Sequence, residues 1–248
     1  MDRMDKIKAA SELADGAMQM GLSLDDEQIG QFISYYEMLL EWNSRFNLTA
    51  ITAWDDVLKK HFLDSLSPAP LFPADDSALG GLRLADIGSG AGFPGIPLKI
   101  AFRSLSVTLI ETTGKKADFL QCVTDELHLK DVTVINDRVE VIGRDAEHRG
   151  RYDLAATRAV SSLNVLCEYG VPLLKTGGEL LCYKGPDVSA EVDQAQNAFE
   201  RLGCSLSGIY EPLIPDADFS RTIISIRKDA DTPQRYPRRP GLVTRKPL

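Results

Sequence analysis

The chain has 248 residues, 44% of them hydrophobic, which suits one large domain or a domain with an appendage. Its formal net charge of −8 at pH 7 argues against indiscriminate nucleic-acid binding, which depends on broad phosphate neutralisation. No apolar run approaches a membrane span, and the charged N-terminus lacks a signal-peptide core.

Cys122, Cys167, Cys182 and Cys204 are far apart in apolar stretches, so they read as buried free thiols in a reducing, cytoplasmic setting. His61, His128 and His148 are too scattered for a zinc site, and nothing in the sequence asks for a metal.

In chain order, three amphipathic helices come first. Ile7, Ala10, Leu13, Ala14 and Ala17 form one apolar stripe, ending at Gly21. Ser23 with Asp26 is a candidate cap for the second, whose stripe is Ile29, Phe32, Ile33, Tyr36, Leu39 and Leu40. Thr52 with Asp55 opens a third, carrying Val57, Leu58, His61, Phe62 and Leu66. Met18, Met20 and Met38 read as core filler. Pro68, Pro70 and Pro73 break the pattern, and residues 74–81 read as a linker.

Downstream the period alternates. Strands are predicted at 82–87, 106–111, 132–136, 152–157 and 178–183, and helices at 95–103, 115–127, 161–174 and 188–202. Residues 203–228 read as two further strands. The predicted class is α/β, a doubly wound, Rossmann-like, mostly parallel sheet of seven strands with an N-terminal helical extension. The division is residues 1–78 for the extension, 79–230 for the cofactor-binding domain and 231–248 for a basic tail.

The stretch Asp86-Ile-Gly-Ser-Gly-Ala-Gly-Phe-Pro-Gly-Ile-Pro97 carries the most chemical information. It reads as strand, glycine turn and helix, with amides and the positive helix end turned toward an anionic group. A dinucleotide fingerprint, G-x-G-x-x-G counted from Gly88, would place its last glycine at Phe93. The spacing here, Asp86-x-Gly88-x-Gly90-x-Gly92, points instead to S-adenosyl-L-methionine, with Phe93 as an aromatic wall. Glu111, about 20 residues beyond the turn at the end of a β-rich run, is placed to grip ribose hydroxyls.

Arg138-Val139-Glu140 follows the third strand, where it either meets the adenine of a cofactor or forms an exposed loop with a local ion pair. Arg158, at the rim of the fourth strand, can anchor an RNA phosphate, organise a cofactor carboxylate or pair within the fold. Lys115 and Lys116 occupy a first helical turn, where the dipole disfavours cations, so phosphate contact competes with a solvated face. His61 and Asp64 share a helical face and read as a hydrogen-bonded pair packed on the sheet rather than an acid–base dyad. The acidic N-terminal segment contrasts with a tail that carries Arg235, Arg238, Arg239, Arg245 and Lys246 and no acid. That asymmetry suits a protein that meets a polyanion at one place.

Taken with Asn47-Leu-Thr-Ala-Ile-Thr52 and His61-Phe-Leu-Asp-Ser65, the glycine turn resembles the bacterial small-subunit ribosomal RNA methyltransferase G family, formerly glucose-inhibited division protein B. The resemblance continues through Lys115-Lys-Ala-Asp-Phe-Leu120, Arg138-Val-Glu140, Thr157-Arg-Ala-Val160 and Lys184-Gly185, and closes on Arg235-Tyr-Pro-Arg-Arg-Pro-Gly241 and Lys246-Pro-Leu248. It implies a class I methyltransferase that moves a methyl group from S-adenosyl-L-methionine to N7 of one guanine in 16S ribosomal RNA. The implied partner is the small ribosomal subunit or its precursor, met by a monomer.

The resemblance carries cofactor contacts onto Gly88, Phe93, Val139, Glu140 and Arg158; the turn argument adds Asp86, Gly90, Gly92 and Glu111. Lys115, Lys116, Arg235, Arg238, Arg239, Arg245 and Lys246 are the candidate RNA surface. Phe93 and Val139 stand where many members have leucine and alanine, and Val243-Thr244 interrupts a tail that is often more basic.

The absence of other chemistry is consistent with N7. That atom has an in-plane lone pair, so it needs alignment and water exclusion more than a base. The chain has no Pro-Pro of an exocyclic-amine methylase and no Pro-Cys of a cytosine C5 methylase. A ribose-oxygen enzyme stays open, as do a methyltransferase of another substrate, a non-catalytic ribosome-assembly factor and a nicotinamide oxidoreductase.

Overall fold

The computed structural model describes residues 2–73, 76–158 and 161–248. Ala74 and Asp75 of the predicted linker, and Ala159 and Val160 of the Thr157–Val160 motif, lie outside the described residues.

Two long helices, α1 (Arg3–Gln19) and α2 (Asp26–Asn43), lead the chain. A continuous helical run follows, made of α3 (Trp54–Val57), a π turn (Leu58–Leu63) and α4 (Asp64–Leu66). The cap of α2 differs from the expected Ser23–Asp26 arrangement. Asp25 accepts from the Gln28 amide and Gln28 accepts from the Asp25 amide, each at 2.9 Å, a reciprocal box two residues further along. The Gln28 side-chain amide then donates to the Ile100 and Ala101 carbonyls, so the cap also ties α2 to the domain behind it. The Thr52–Asp55 expectation is likewise corrected: the third run starts at Trp54, after Ala53, with no side-chain cap.

The sheet comprises β1 (Arg83–Ile87), β2 (Ser106–Ile110), β3 (Val132–Ile135), β4 (Tyr152–Arg158), β5 (Leu174–Lys184), β6 (Cys204–Tyr210) and β7 (Thr222–Lys228). Their spatial order is β3-β2-β1-β4-β5-β7-β6. The first five pair in parallel, and β7 runs antiparallel to both β5 and β6. The crossovers hold α5 (Gly95–Ala101), α6 (Gly114–Glu126), the short α7 (Val139–Ile142), α8 (Leu163–Gly170), α9 (Ser189–Gln194) and α10 (Gln196–Leu202); α11 (Leu242–Arg245) lies in the tail. The expected helix at 188–202 is thus broken at Ala195, and that at 161–174 ends in a 3-10 turn at Val171–Leu173.

Successive strand residues face opposite sides, and the apolar ones divide accordingly. Leu84, Leu109, Ala156, Leu181 and Ile223 join the core that holds α2, α5, α6 and the helical run at 54–66. Ala85, Ile110, Ala155, Leu180 and Ile224 join the opposite core, with α7, α8, α10 and the tail residues Tyr236 and Val243. Near-continuous apolar strands are what a sheet covered on both faces requires.

The N-terminal helices therefore share a core with the sheet, and Leu79, inside the expected linker, is buried in it. Met18 and Ile7 are exposed, contrary to expectation: the residues that α1 buries are Ala9, Leu13, Gly16 and Ala17. Met20 and Met38 pack against the core as expected. The four cysteines are free; three are buried and Cys122 is half-buried at the edge of α6. No helix among the described residues is long and apolar enough to cross a membrane.

Candidate active site

The strand order reverses between β1 and β4, so the crevice that a doubly wound sheet offers a ligand lies beyond the C-terminal ends of those strands. The glycine turn occupies that point. Gly88, Gly90 and Gly92 have φ of +70°, +60° and +98°, the left-handed region that L side chains rarely adopt. The Gly88 and Ser89 amides donate to the Ile110 carbonyl at 2.9 and 3.1 Å, which fastens the turn to the end of β2.

The two acids act on this turn from different sides. Glu111 Oε2 accepts from the Gly90 amide at 2.9 Å and Oε1 from the Thr113 amide at 2.8 Å. Asp86 is completely buried beneath the turn, where Oδ2 accepts from the Gly95 amide at 3.0 Å and Oδ1 has no partner among the described residues. Burial pushes its carboxyl up to about 7.

Phe93 is buried rather than lining an open wall. Its ring stacks on His61 with centroids 4.4 Å apart, neighbours Tyr35 at 5.4 Å and lies 5.0 Å from the Arg158 guanidinium carbon. Tyr35, on α2, completes the support by donating its hydroxyl proton to the Ala91 carbonyl.

Arg158 leaves the end of β4 and meets the helical run at 54–66. Its Nη1 donates to Asp64 Oδ2 and to the Lys60 carbonyl, both at 2.9 Å. Arg221, just before β7, donates to the same carboxylate from Nε at 2.5 Å and Nη2 at 2.8 Å. Asp64 is therefore a completely buried carboxylate between two guanidiniums, and it corrects the expected His61–Asp64 hydrogen bond. His61 reaches Thr49 at 3.0 Å and Arg158 at 3.2 Å instead. Burial first, then the Arg158 charge, lowers its pKa to about 4, so the ring is neutral at pH 7. Nothing in the local spacing of His61 and Asp64 announces Arg221, which is 157 residues from Asp64.

Two cavities lie along this edge. The narrower, about 170 Å³, is lined by Ile87, Gly88, Ile110, Val139, Glu140 and Tyr169, among others. Val139 and Glu140 sit on α7, a helical turn where sequence reasoning left a loop open. The wider cavity, about 670 Å³, is lined by Ile51, His61, Arg158, Tyr183, Phe219 and Arg221, among others. Tyr183, Lys184, Phe219 and Arg221 escaped sequence reasoning as site residues. The Lys184-Gly185 pair was the one available signal.

The remaining expected residues are more dispersed. Lys115 is exposed, with Nζ 4.8 Å from the Phe46 ring centroid, and Lys116 is half-buried. In the tail, Arg238 is paired with Glu168 through Nε and Nη2, at 2.9 and 2.6 Å, and is built into the fold. Arg235, Arg239, Arg245 and Lys246 are exposed. No group of three or more His, Cys, Asp or Glu side chains is gathered as metal ligands among the described residues.

A mostly parallel seven-stranded sheet ending in an antiparallel hairpin, with a glycine turn at its reversal point, defines a class I methyltransferase. A predicted O-methyltransferase from Agrobacterium tumefaciens has a similar fold, with a TM-score of 0.50 and 20% identity over 69% of this chain and 81% of that one. A family profile for rRNA small subunit methyltransferase G matches residues 28–211. The chain is 46% identical over 237 residues to a ribosomal RNA small subunit methyltransferase G from Roseiflexus castenholzii, covering 96% of this chain and 99% of that one. It is 42% identical over 236 residues to one from Alkaliphilus metalliredigens, covering 95% and 97%. The chain belongs to the rRNA small subunit methyltransferase G family.

Proposed function

We propose that this chain transfers the methyl group of S-adenosyl-L-methionine to N7 of a guanine in 16S ribosomal RNA, acting on the small ribosomal subunit or its precursor. The observation that carries the reading is the pair of cavities at the C-terminal edge of the sheet, the narrow one beside Gly88 of the glycine turn with Glu140 in its lining, the wide one lined by His61 and Arg158.

The narrow cavity fits an adenosine. Ile87, Ile110 and Val139 supply apolar walls for a flat ring, and the Glu140 carboxylate lies at its border to accept from an amino group. Glu111 has already spent one lone pair per oxygen on the Gly90 and Thr113 amides, and the remaining pairs suit ribose hydroxyl donors. Asp86 holds the Gly95 amide beneath the turn and so shapes it from below. Arg158 and Arg221 share the single Asp64 carboxylate beside the wide cavity, and the positive charge left over suits the cofactor's own carboxylate. When bound, the cofactor supplies an electrophilic methyl group on a sulfonium.

The groups around the wide cavity suit a nucleophile that needs no deprotonation. His61 is neutral with a pKa of about 4, and burial pushes the Tyr35 and Tyr183 phenols well above their ordinary range. None of these three is poised to take a proton near neutral pH. Guanine N7 reacts through its existing lone pair, so positioning and exclusion of water suffice. Arg235, Arg239, Arg245, Lys246, Lys115 and Lys116 are the cations through which the protein engages RNA phosphate.

The test is methyl transfer from labelled S-adenosyl-L-methionine to isolated small subunits, followed by digestion of the RNA to nucleosides. The expected product is N7-methylguanosine. Label on a ribose oxygen, on another base or on protein would overturn the reading.

A further inference from the structure

The wide cavity has a feature that the methyl-transfer reading leaves unused. β7 runs antiparallel to β5, with Thr222 opposite Lys184, so the segment joining β6 to β7, residues 211–221, crosses the C-terminal edge of the sheet. Arg221 fixes its end by gripping Asp64. Asp218 and Phe219 then line the same cavity as His61 and Arg158.

Each cation around that cavity is already held by an acid of the protein. Lys60 pairs with Asp56 at 2.8 Å, and Lys184 with Glu191 at 2.6 Å. Arg158 and Arg221 share Asp64, and His61 is neutral. Asp218 is exposed and makes no hydrogen bond or ion pair among the described residues; its charge only adds to that of Asp56 in favouring the Lys60 ammonium. Phe219 is half-buried, packed against the main core, with the Arg221 guanidinium carbon 5.7 Å from its ring centroid. A cavity with a flat aromatic surface, committed cations and one unengaged carboxylate suits a planar ring with a donor edge better than a phosphate.

We infer that Phe219 and Asp218 seat the target base, Phe219 by stacking and Asp218 by accepting from N1–H and the N2 amino group of guanine. This rests on the proposed function above. N7 belongs to a different edge of the purine from N1–H and the N2 amino group, so a base presented to the methyl donor keeps its Watson–Crick donors free for the protein. Adenine offers an acceptor at N1, which a carboxylate rejects. The contact also strengthens during reaction. Methylation leaves positive charge on the ring and makes N1–H a better donor, so a carboxylate there stabilises the transition state more than the ground state. Stacking on an aromatic ring contributes to binding without that bias.

The experiment uses the full-length protein and small subunits reconstituted with 16S RNA that carries either guanosine or inosine at the mapped target. Inosine keeps N7 and N1–H and lacks the N2 amine. The wild type is expected to prefer guanosine about tenfold or more in kcat/KM, and in Asp218→Ala that ratio falls to about one, with kcat on guanosine reduced about 100-fold. Phe219→Ala is expected to raise KM about tenfold or more with a smaller effect on kcat, and Phe219→Trp to restore it. S-adenosylhomocysteine affinity, measured by calorimetry, stays unchanged in all three variants, which separates these effects from misfolding. A guanosine preference that survives in Asp218→Ala, or a kcat unchanged by it, overturns the assignment. Label appearing in ribosomal protein would point to a cationic side chain as the occupant and would equally overturn it. No transfer by the wild type to guanosine-bearing particles would instead remove the underlying methyltransferase reading.

Discussion

Gly90 and Gly95 differ in what a side chain would meet. At Gly90 a Cβ has open space, with the Gly88 carbonyl oxygen nearest at 3.8 Å, and the φ of +60° is one that aspartate tolerates better than most residues. Gly90→Asp is therefore expected to fold and to lose at least 100-fold in affinity for S-adenosylhomocysteine, because its carboxylate joins Glu111 beside the ligand's own; calorimetry with a parallel thermal melt checks both halves. At Gly95 the Cβ would lie 2.5 Å from Leu109 Cδ2 and 2.7 Å from Asp86 Oδ2. Gly95→Ala should cost about 1–3 kcal/mol in denaturant unfolding as the buried carboxylate is displaced. His61 and Asp86 give opposite pH signatures. His61 is held near 4, below its ordinary 6.5, so the unfolded chain binds the extra proton and stability falls as pH drops from 6.5 to 4, by about 3 kcal/mol at most. Asp86 is held near 7, above its ordinary 3.8, so its contribution is complete below 3.8 and lost as pH rises to 7. His61→Gln should flatten the acid limb of a urea-midpoint profile relative to the wild type; an unchanged limb would show the imidazole is not the group responsible.

Elements are joined here by a few long-range polar contacts, and these were the least legible part of the sequence. Strands β1 to β5 were readable because runs such as Leu180 to Tyr183 are apolar on both faces. The acids at the turn were readable because motif spacing fixes them. Asp64 was readable only as one end of a helical face, since nothing local says that Arg158 and Arg221 converge on it. The broken helix at Ala195 and the cap at Asp25 were missed for a related reason: propensity favours several neighbouring starts and stops, and packing chooses among them. Asp64→Ala leaves two half-buried guanidiniums without their shared anion, so a loss of about 3 kcal/mol is expected, read from chemical denaturation. The tail shows the same division. Arg144 and Arg149 donate to carbonyls between Thr232 and Pro237, and Glu168 holds Arg238. Removing the tail would disturb α8 as well as any RNA contact, so point substitution is the cleaner probe. Replacing Arg235, Arg239, Arg245 and Lys246 together by alanine should leave the melting temperature nearly unchanged and lower the slope of log affinity against log salt by about 3. Filter binding with small-subunit RNA at several salt concentrations measures that slope, and an unaltered slope would assign the tail to structure alone.

Across the whole molecule, one edge of the sheet gathers the functional parts. The glycine turn, both cavities and the β6–β7 segment lie there, and the Leu248 carbonyl accepts from Asn164 at 3.2 Å, just past the end of β4, which brings the chain terminus to the same edge. The net charge of −8 is compatible with an RNA substrate because the cations are concentrated rather than numerous. Both cores run through the sheet from the N-terminal helices to the tail, so this edge is carried on a packed body rather than on loops alone. The most direct test of the whole account is a map of N7-methylguanine in 16S ribosomal RNA from cells with and without this protein. A single methylated guanine should vanish on deletion, return with the wild-type chain and fail to return with Gly90→Asp. An RNA whose N7 methylation is identical in all four strains would contradict it.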